Sequence, residues 1–118
     1  MHELSIATAI VERATELARR HDAAGVEAVR VRVGEMSGVV PDALRFSFEV
    51  AREGTVVEAA RLVVEEVPAR ARCAACEKEF AVGTPPFLWC PHCDSPTTRL
   101  LSGRELEITV IELAEATA

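Results

Sequence analysis

Two cysteine pairs constrain this chain more than any other feature. Cys73 and Cys76 are separated by two residues, as are Cys90 and Cys93, and 13 residues lie between the pairs. A two-residue spacing lets both sulfurs turn toward one point. Two such knuckles on neighbouring hairpins supply four thiolates in a tetrahedron, about 2.3 Å from a zinc ion. Soft sulfur donors select zinc, or iron in a rubredoxin-like site, over hard cations. Four protein ligands leave no open coordination position, so the metal is structural rather than catalytic. Neither pair sits at a helix start, the setting a thioredoxin-type redox pair needs.

Residues 71–101 hold all four Cys, four of the six Pro and the only Trp, and show no helical period. They read as a zinc-ribbon-like module with little core of its own, folded by its metal and inserted into a second unit made of residues 1–70 and 102–118. Phe87, Leu88 and Trp89 are expected to cover the metal site. His92, inside the second knuckle, reads as an exposed residue. Arg70, Arg72, Lys78 and Arg99 are interleaved with Glu77, Glu79 and Asp94, so the module carries no uniformly basic face.

The flanking sequence alternates between helix and strand periods. Leu4, Ala7, Val11, Ala14 and Ala18, flanked by Ile10 and Leu17, form the apolar stripe of a helix over 4–20. In the segment 26–34, Val29, Val31 and Val33 alternate with Ala28, Arg30 and Arg32, as in a strand with one buried face. Pro41 suits the first position of a second helix, with Leu44, Phe48 and Ala51 on its stripe. Phe46 and Phe48 also fit a strand period. Gly54 ends that helix, and Thr55 to Glu58 has capping-box spacing for a further short turn. Residues 61–67 and 104–113 read as strands, the latter with Leu106, Ile108 and Val110 on one face. The tail from Ala114 is expected to fray. The fold expected is α+β: two helices on a small three-stranded sheet, with the cysteine module inserted. Arg30 and Arg32 are expected to face Glu105 and Glu107 across neighbouring strands.

With 13 basic and 19 acidic residues the net charge is −6. Phosphate binding needs a basic face, so nucleic acid is not an expected partner. The longest apolar stretch near the start, residues 6–11, is too short for a signal peptide or membrane span. A cytoplasmic location follows as the expectation, and in a reducing compartment paired cysteines bind metal rather than form disulfides. No phosphate loop and no Ser-His or Cys-His pair points to catalysis.

The start of the chain, Met1-His2-Glu3, offers a second metal site. His2 is bulky, so the initiator Met1 is expected to stay, with its α-amine. That amine, the His2 amide nitrogen and the His2 imidazole can close adjacent chelate rings on one ion, and Glu3 can add its carboxylate or amide nitrogen. A planar, nitrogen-rich set suits Ni(II) or Cu(II). Glu3 is also well placed simply as an acidic group at a helix N-terminus.

Taken in order, these segments resemble the HypA/HybF family of hydrogenase maturation factors. The resemblance runs through Met1-His2-Glu3-Leu4-Ser5, Val31-Arg32-Val33-Gly34-Glu35, Ser37-Gly38-Val39 and Pro41-Asp42-Ala43-Leu44 with Phe46 and Phe48. It continues through Glu53-Gly54-Thr55, Glu65-Glu66-Val67-Pro68, the four cysteines with Pro91, and the segment from Gly103 to Glu112. The resemblance implies a nickel metallochaperone, not an enzyme, that inserts nickel into the large subunit of [NiFe]-hydrogenase. It implies a HypB-type GTPase as partner and, in some organisms, service to urease maturation proteins as well. By the same resemblance Met1, His2 and Glu3 bind nickel, and Cys73, Cys76, Cys90 and Cys93 bind zinc.

Overall fold

A computed structural model of the chain describes residues 2–96 and 98–115. The first sheet contains β1 (Gly25–Gly34), β2 (Arg61–Val67) and β6 (Leu106–Ala114), in the order β2-β1-β6. β2 runs parallel to β1, and β6 antiparallel. Parallel neighbours need a crossover, and helix α2 (Pro41–Ala51) supplies it. Helix α1 (Glu3–Arg20) precedes β1. Both helices pack on the side of the sheet toward which Val29, Val31 and Val33 point. These three valines, together with Leu44 and Phe48, are at most 2% exposed. The core is otherwise aliphatic: Ala7, Ile10, Val11, Ala14 and Ala18 from α1, then Val26, Val39, Val57 and Ala60.

Leu4 departs from the expected stripe. It is 53% exposed, and Ile6 packs against the core instead. The first turn of α1 also touches the start of α2, through a hydrogen bond from the Val40 N–H to the Glu3 carboxylate (3.1 Å). The short turn expected at Thr55 is present, and in it the Thr55 hydroxyl accepts from the Val57 N–H (3.2 Å) rather than from the Glu58 N–H of a capping box.

The expected apolar face of the last strand is also corrected. Between Arg30 and Val31 the β1–β6 register skips Thr109, so one extra residue bulges from β6. A bulge inverts the inward–outward phase beyond it. Ile108, Ile111 and Leu113 therefore pack on the core, while Val110 turns out, 43% exposed. The same phase change moves the charge pairing. Arg32 meets Glu107 as expected (3.3 Å), and also Glu65 on β2 (2.7 Å). Arg30 pairs with Glu112 (3.7 Å) rather than with Glu105. Glu105 lies ahead of β6, where its carboxylate accepts from the Gly103 N–H (2.7 Å). Ala114, placed in the fraying tail by sequence, closes β6 against Gly25. The remainder of that tail, 116–118, lies outside the described residues.

The second sheet contains β3 (Arg70–Cys73), β4 (Glu79–Ala81) and β5 (Thr98–Ser102), ordered β4-β3-β5 and antiparallel throughout. It has its own apolar cluster of Ala69, Ala71, Cys73, Phe80, Val82 and Cys90. With extents of 62 × 24 × 16 Å, the molecule is long, with the two clusters distinct.

Candidate metal centres

The second sheet brings the four cysteines together. β3 ends on Cys73, the turn into β4 carries Cys76, and Cys90 and Cys93 lie on the loop before β5. The four Sγ atoms lie within 4.8 Å of one another. Two close contacts cross between knuckles: Cys73 to Cys93 at 3.4 Å, and Cys76 to Cys90 at 3.6 Å.

Each knuckle turns its backbone N–H groups onto sulfur. Cys73 Sγ accepts from Ala75 N (3.3 Å) and Cys76 N (3.4 Å), and Cys90 Sγ accepts from His92 N (3.3 Å). The knuckles end in matching turns, where Glu77 N donates to Cys73 O and Asp94 N to Cys90 O, both at 2.9 Å. Glu77 and Asp94 each adopt φ +62°, the left-handed conformation that closes so tight a turn. N–H groups aimed at sulfur stabilise the thiolate. The Cys76 N–H does most to lower the Cys73 thiol to about 6. Contact with Cys73 pushes the Cys93 thiol up to about 12, because adjacent sulfurs do not both ionise freely. A divalent soft cation relieves that repulsion, so the donor set fits zinc-type chemistry.

What shields the sulfurs differs from expectation. Phe87, Leu88 and Trp89 are 60%, 36% and 47% exposed. Their segment is held by hydrogen bonds from Phe87 N to Val82 O (3.1 Å) and from the Thr98 hydroxyl to Leu88 O (2.7 Å). Cys73 and Cys90 are buried instead against Phe80 and Val82. Sequence reasoning missed that pair, although the Glu79-Phe80-Ala81-Val82 alternation carries the strand signal. His92 is exposed, as expected.

At the other end, Met1 lies outside the described residues. His2 is exposed and occupies the N-cap of α1, with its carbonyl accepting from Ile6 N (3.2 Å). Glu3 opens the helix. Its carboxylate is held below the usual range chiefly by the Val40 N–H, with its own N–H assisting. The contact leaves no sign in the sequence, because its donor is the backbone N–H of Val40 and not a polar side chain. Among the described residues, no helix is long and apolar enough to cross a membrane.

The profile of the HypA family, described as hydrogenase/urease nickel incorporation metallochaperones, matches residues 1–113. A hydrogenase maturation factor HypA from Streptomyces avermitilis is 52% identical over 112 residues, covering 94% of this chain and 86% of the relative. Its counterpart from Chloroflexus aggregans is 45% identical, covering 95% and 98%. The solution structure of the Ni metallochaperone HypA from Helicobacter pylori shares 25% identity. It aligns with a TM-score of 0.66 over 98% of this chain and all of that one. A second solution structure, of a HypA protein, aligns with a TM-score of 0.70 at the same identity, covering 98% of each chain. On a match spanning both sheets and both helices, this chain belongs to the HypA family of nickel-incorporation metallochaperones for hydrogenase and urease, maturation factors rather than catalytic enzymes.

Proposed function

We propose that the chain binds Ni(II) through Met1, His2 and Glu3 and delivers it to the large subunit of an immature [NiFe]-hydrogenase. Cys73, Cys76, Cys90 and Cys93 hold Zn(II) as a structural ion. The observation that carries this reading is the separation of the two donor sets. Four sulfurs within 4.8 Å form a closed site, whereas His2 is exposed at the start of α1. A resident structural metal needs closure, and a cargo ion needs a site that can open without unfolding a core. The chain then works as two units, 1–70 with 102–118 and 71–101, in the cytoplasm. A HypB-type GTPase supplies nucleotide hydrolysis, and urease maturation proteins are a second route for the cargo.

Nickel must displace protons from the α-amine and from the imidazole. Affinity therefore falls on acidification. In the structure the Glu3 carboxylate is engaged by the Val40 N–H, so its use as a nickel ligand releases that contact.

The test is nickel titration of zinc-loaded protein in four forms: untagged, tagged ahead of Met1, tagged after Ala118, and His2→Ala. The untagged and C-tagged forms should take up one nickel. The N-tagged form should bind far more weakly, because the amine has become an amide. His2→Ala should lose specific uptake and keep its zinc. Equal affinity in the untagged and N-tagged forms would remove the amine from the site. Undiminished affinity in His2→Ala would remove the site altogether.

A further inference from the structure

Two short segments join the sheets, one on each side of the second sheet: Pro68-Ala69 between β2 and β3, and Gly103 to Glu105 between β5 and β6. The joint they make is backbone packed on backbone. A Cβ on Gly34 would collide with the Gly103 carbonyl. Gly103 itself has φ +119°, and a Cβ there would lie 2.7 Å from Ala69. Such a joint brings the chains close but offers little side-chain bulk to fix the direction in which the second sheet points.

Glu35 supplies that direction. It follows the last residue of β1, and its own N–H is fixed to Val67 O (2.8 Å). Both carboxylate oxygens are engaged: Oε1 accepts from the Ala69 N–H in the joint (3.0 Å), and Oε2 from the Thr84 hydroxyl in the cysteine module (3.2 Å). The two donors are linked through the second apolar cluster: Val82, two residues before Thr84, has its N–H bonded to Ala69 O (3.0 Å), and Val82 and Ala69 both belong to that cluster. Met36 adds an apolar contact to that cluster. Methionine is the most deformable of core side chains and does not fix an angle. Two hydrogen bonds from one carboxylate, to donors on different segments, do fix one. Glu35 is exposed, so water can replace both partners when the contact opens, and no buried charge is left behind.

We propose that Glu35 is a latch that sets the orientation of the cysteine module relative to the helix-covered sheet, and that its release lets the module swing about the glycine joint with both cores intact. The inference rests on the two clusters being separate, not on either metal assignment.

The test uses zinc-loaded full-length protein and amide residual dipolar couplings in the wild type, Glu35→Ala and Thr84→Val. In the wild type one alignment tensor should fit both sheets. In Glu35→Ala the couplings of β3, β4 and β5 should shrink and require a tensor of their own. Zinc content and the amide shifts of α1 and β1 should stay unchanged. Thr84→Val removes only the module-side donor and should separate the tensors to a smaller extent. If Glu35→Ala fails to fold, Thr84→Val decides alone. A single shared tensor with unchanged orientation in the folded variants overturns the latch.

Discussion

The Arg32 guanidinium on β1 donates to the Glu107 carboxylate on β6 across 3.3 Å, and its other edge bonds Glu65 on β2. One arginine thus spans all three strands of the first sheet. The Glu65 hydrogen bond contributes most to raising the arginine's already high pKa. The group is solvent-accessible, and such pairs gain little net energy. Arg32→Gln should therefore lower thermal stability only slightly, with the difference shrinking further at high salt. The β1–β6 register, fixed by Val29, Val31 and the Thr109 bulge, should persist. Backbone amide exchange and cross-strand nuclear Overhauser contacts between Val31 and Ile108 provide the check.

Removing one sulfur should dissect the molecule. The second cluster holds six buried residues, two of them cysteines. Structural zinc contributes on the order of 10–16 kcal/mol to small metal-folded peptides, far more than so small a cluster supplies. Cys90→Ser should therefore release the metal and unfold residues 71–101, while β1, β2, β6 and both helices keep their exchange protection. Full zinc occupancy in Cys90→Ser would show that the four-sulfur site is wrong.

Glu3 makes a pH-dependent contact with the sign of a depressed carboxylate. Its folded value lies below the ordinary 4.5, mainly because the Val40 N–H stabilises the charged form. The stabilisation is fully present above the ordinary glutamate value and is lost as the pH falls through the depressed one. The Val40 amide proton shift should titrate with a midpoint below 4.5, and Glu3→Gln should abolish the titration. A midpoint at or above 4.5 would show that the contact does not favour the carboxylate.

Most of the architecture was legible because it is written in periods. The 3.6-residue stripe of α1, the Val29-Val31-Val33 alternation and the doubled Cys-x2-Cys spacing each report a local geometry directly. The span of β2, 61–67, was read without error. What escaped was decided by contacts between distant segments. The Thr109 bulge comes from the pairing of β6 with β1 and leaves no mark on the alternation itself. The Glu3–Val40 and Glu35–Thr84 bonds join residues 37 and 49 positions apart, one of them through a backbone N–H that every residue but proline has. The trio 87–89 misled because aromatic residues beside a knuckle suggest a lid, whereas the strand that does the covering carries a single phenylalanine.

Phe46 and Phe48 test that limit in one helix. Two residues apart, they could share the face of a strand, but on a helix they stand about 200° apart, given 3.6 residues per turn. The structure resolves the ambiguity. Phe48 is 1% exposed at the centre of the first core, and Phe46 is 70% exposed on the outer face of α2. Truncating a buried phenylalanine removes its transfer energy and leaves a cavity, a cost of about 3–5 kcal/mol. Truncating an exposed one away from such features changes stability by about 0.5 kcal/mol or less. Phe48→Ala should therefore lower the denaturation midpoint severely, and Phe46→Ala should leave it nearly unchanged, both measured by urea titration of the zinc-loaded protein. Because Phe48 belongs to the first cluster and the cysteines to the second, folded Phe48→Ala should keep its full zinc content. A larger loss from Phe46→Ala than from Phe48→Ala would mean that α2 presents its other face to the sheet.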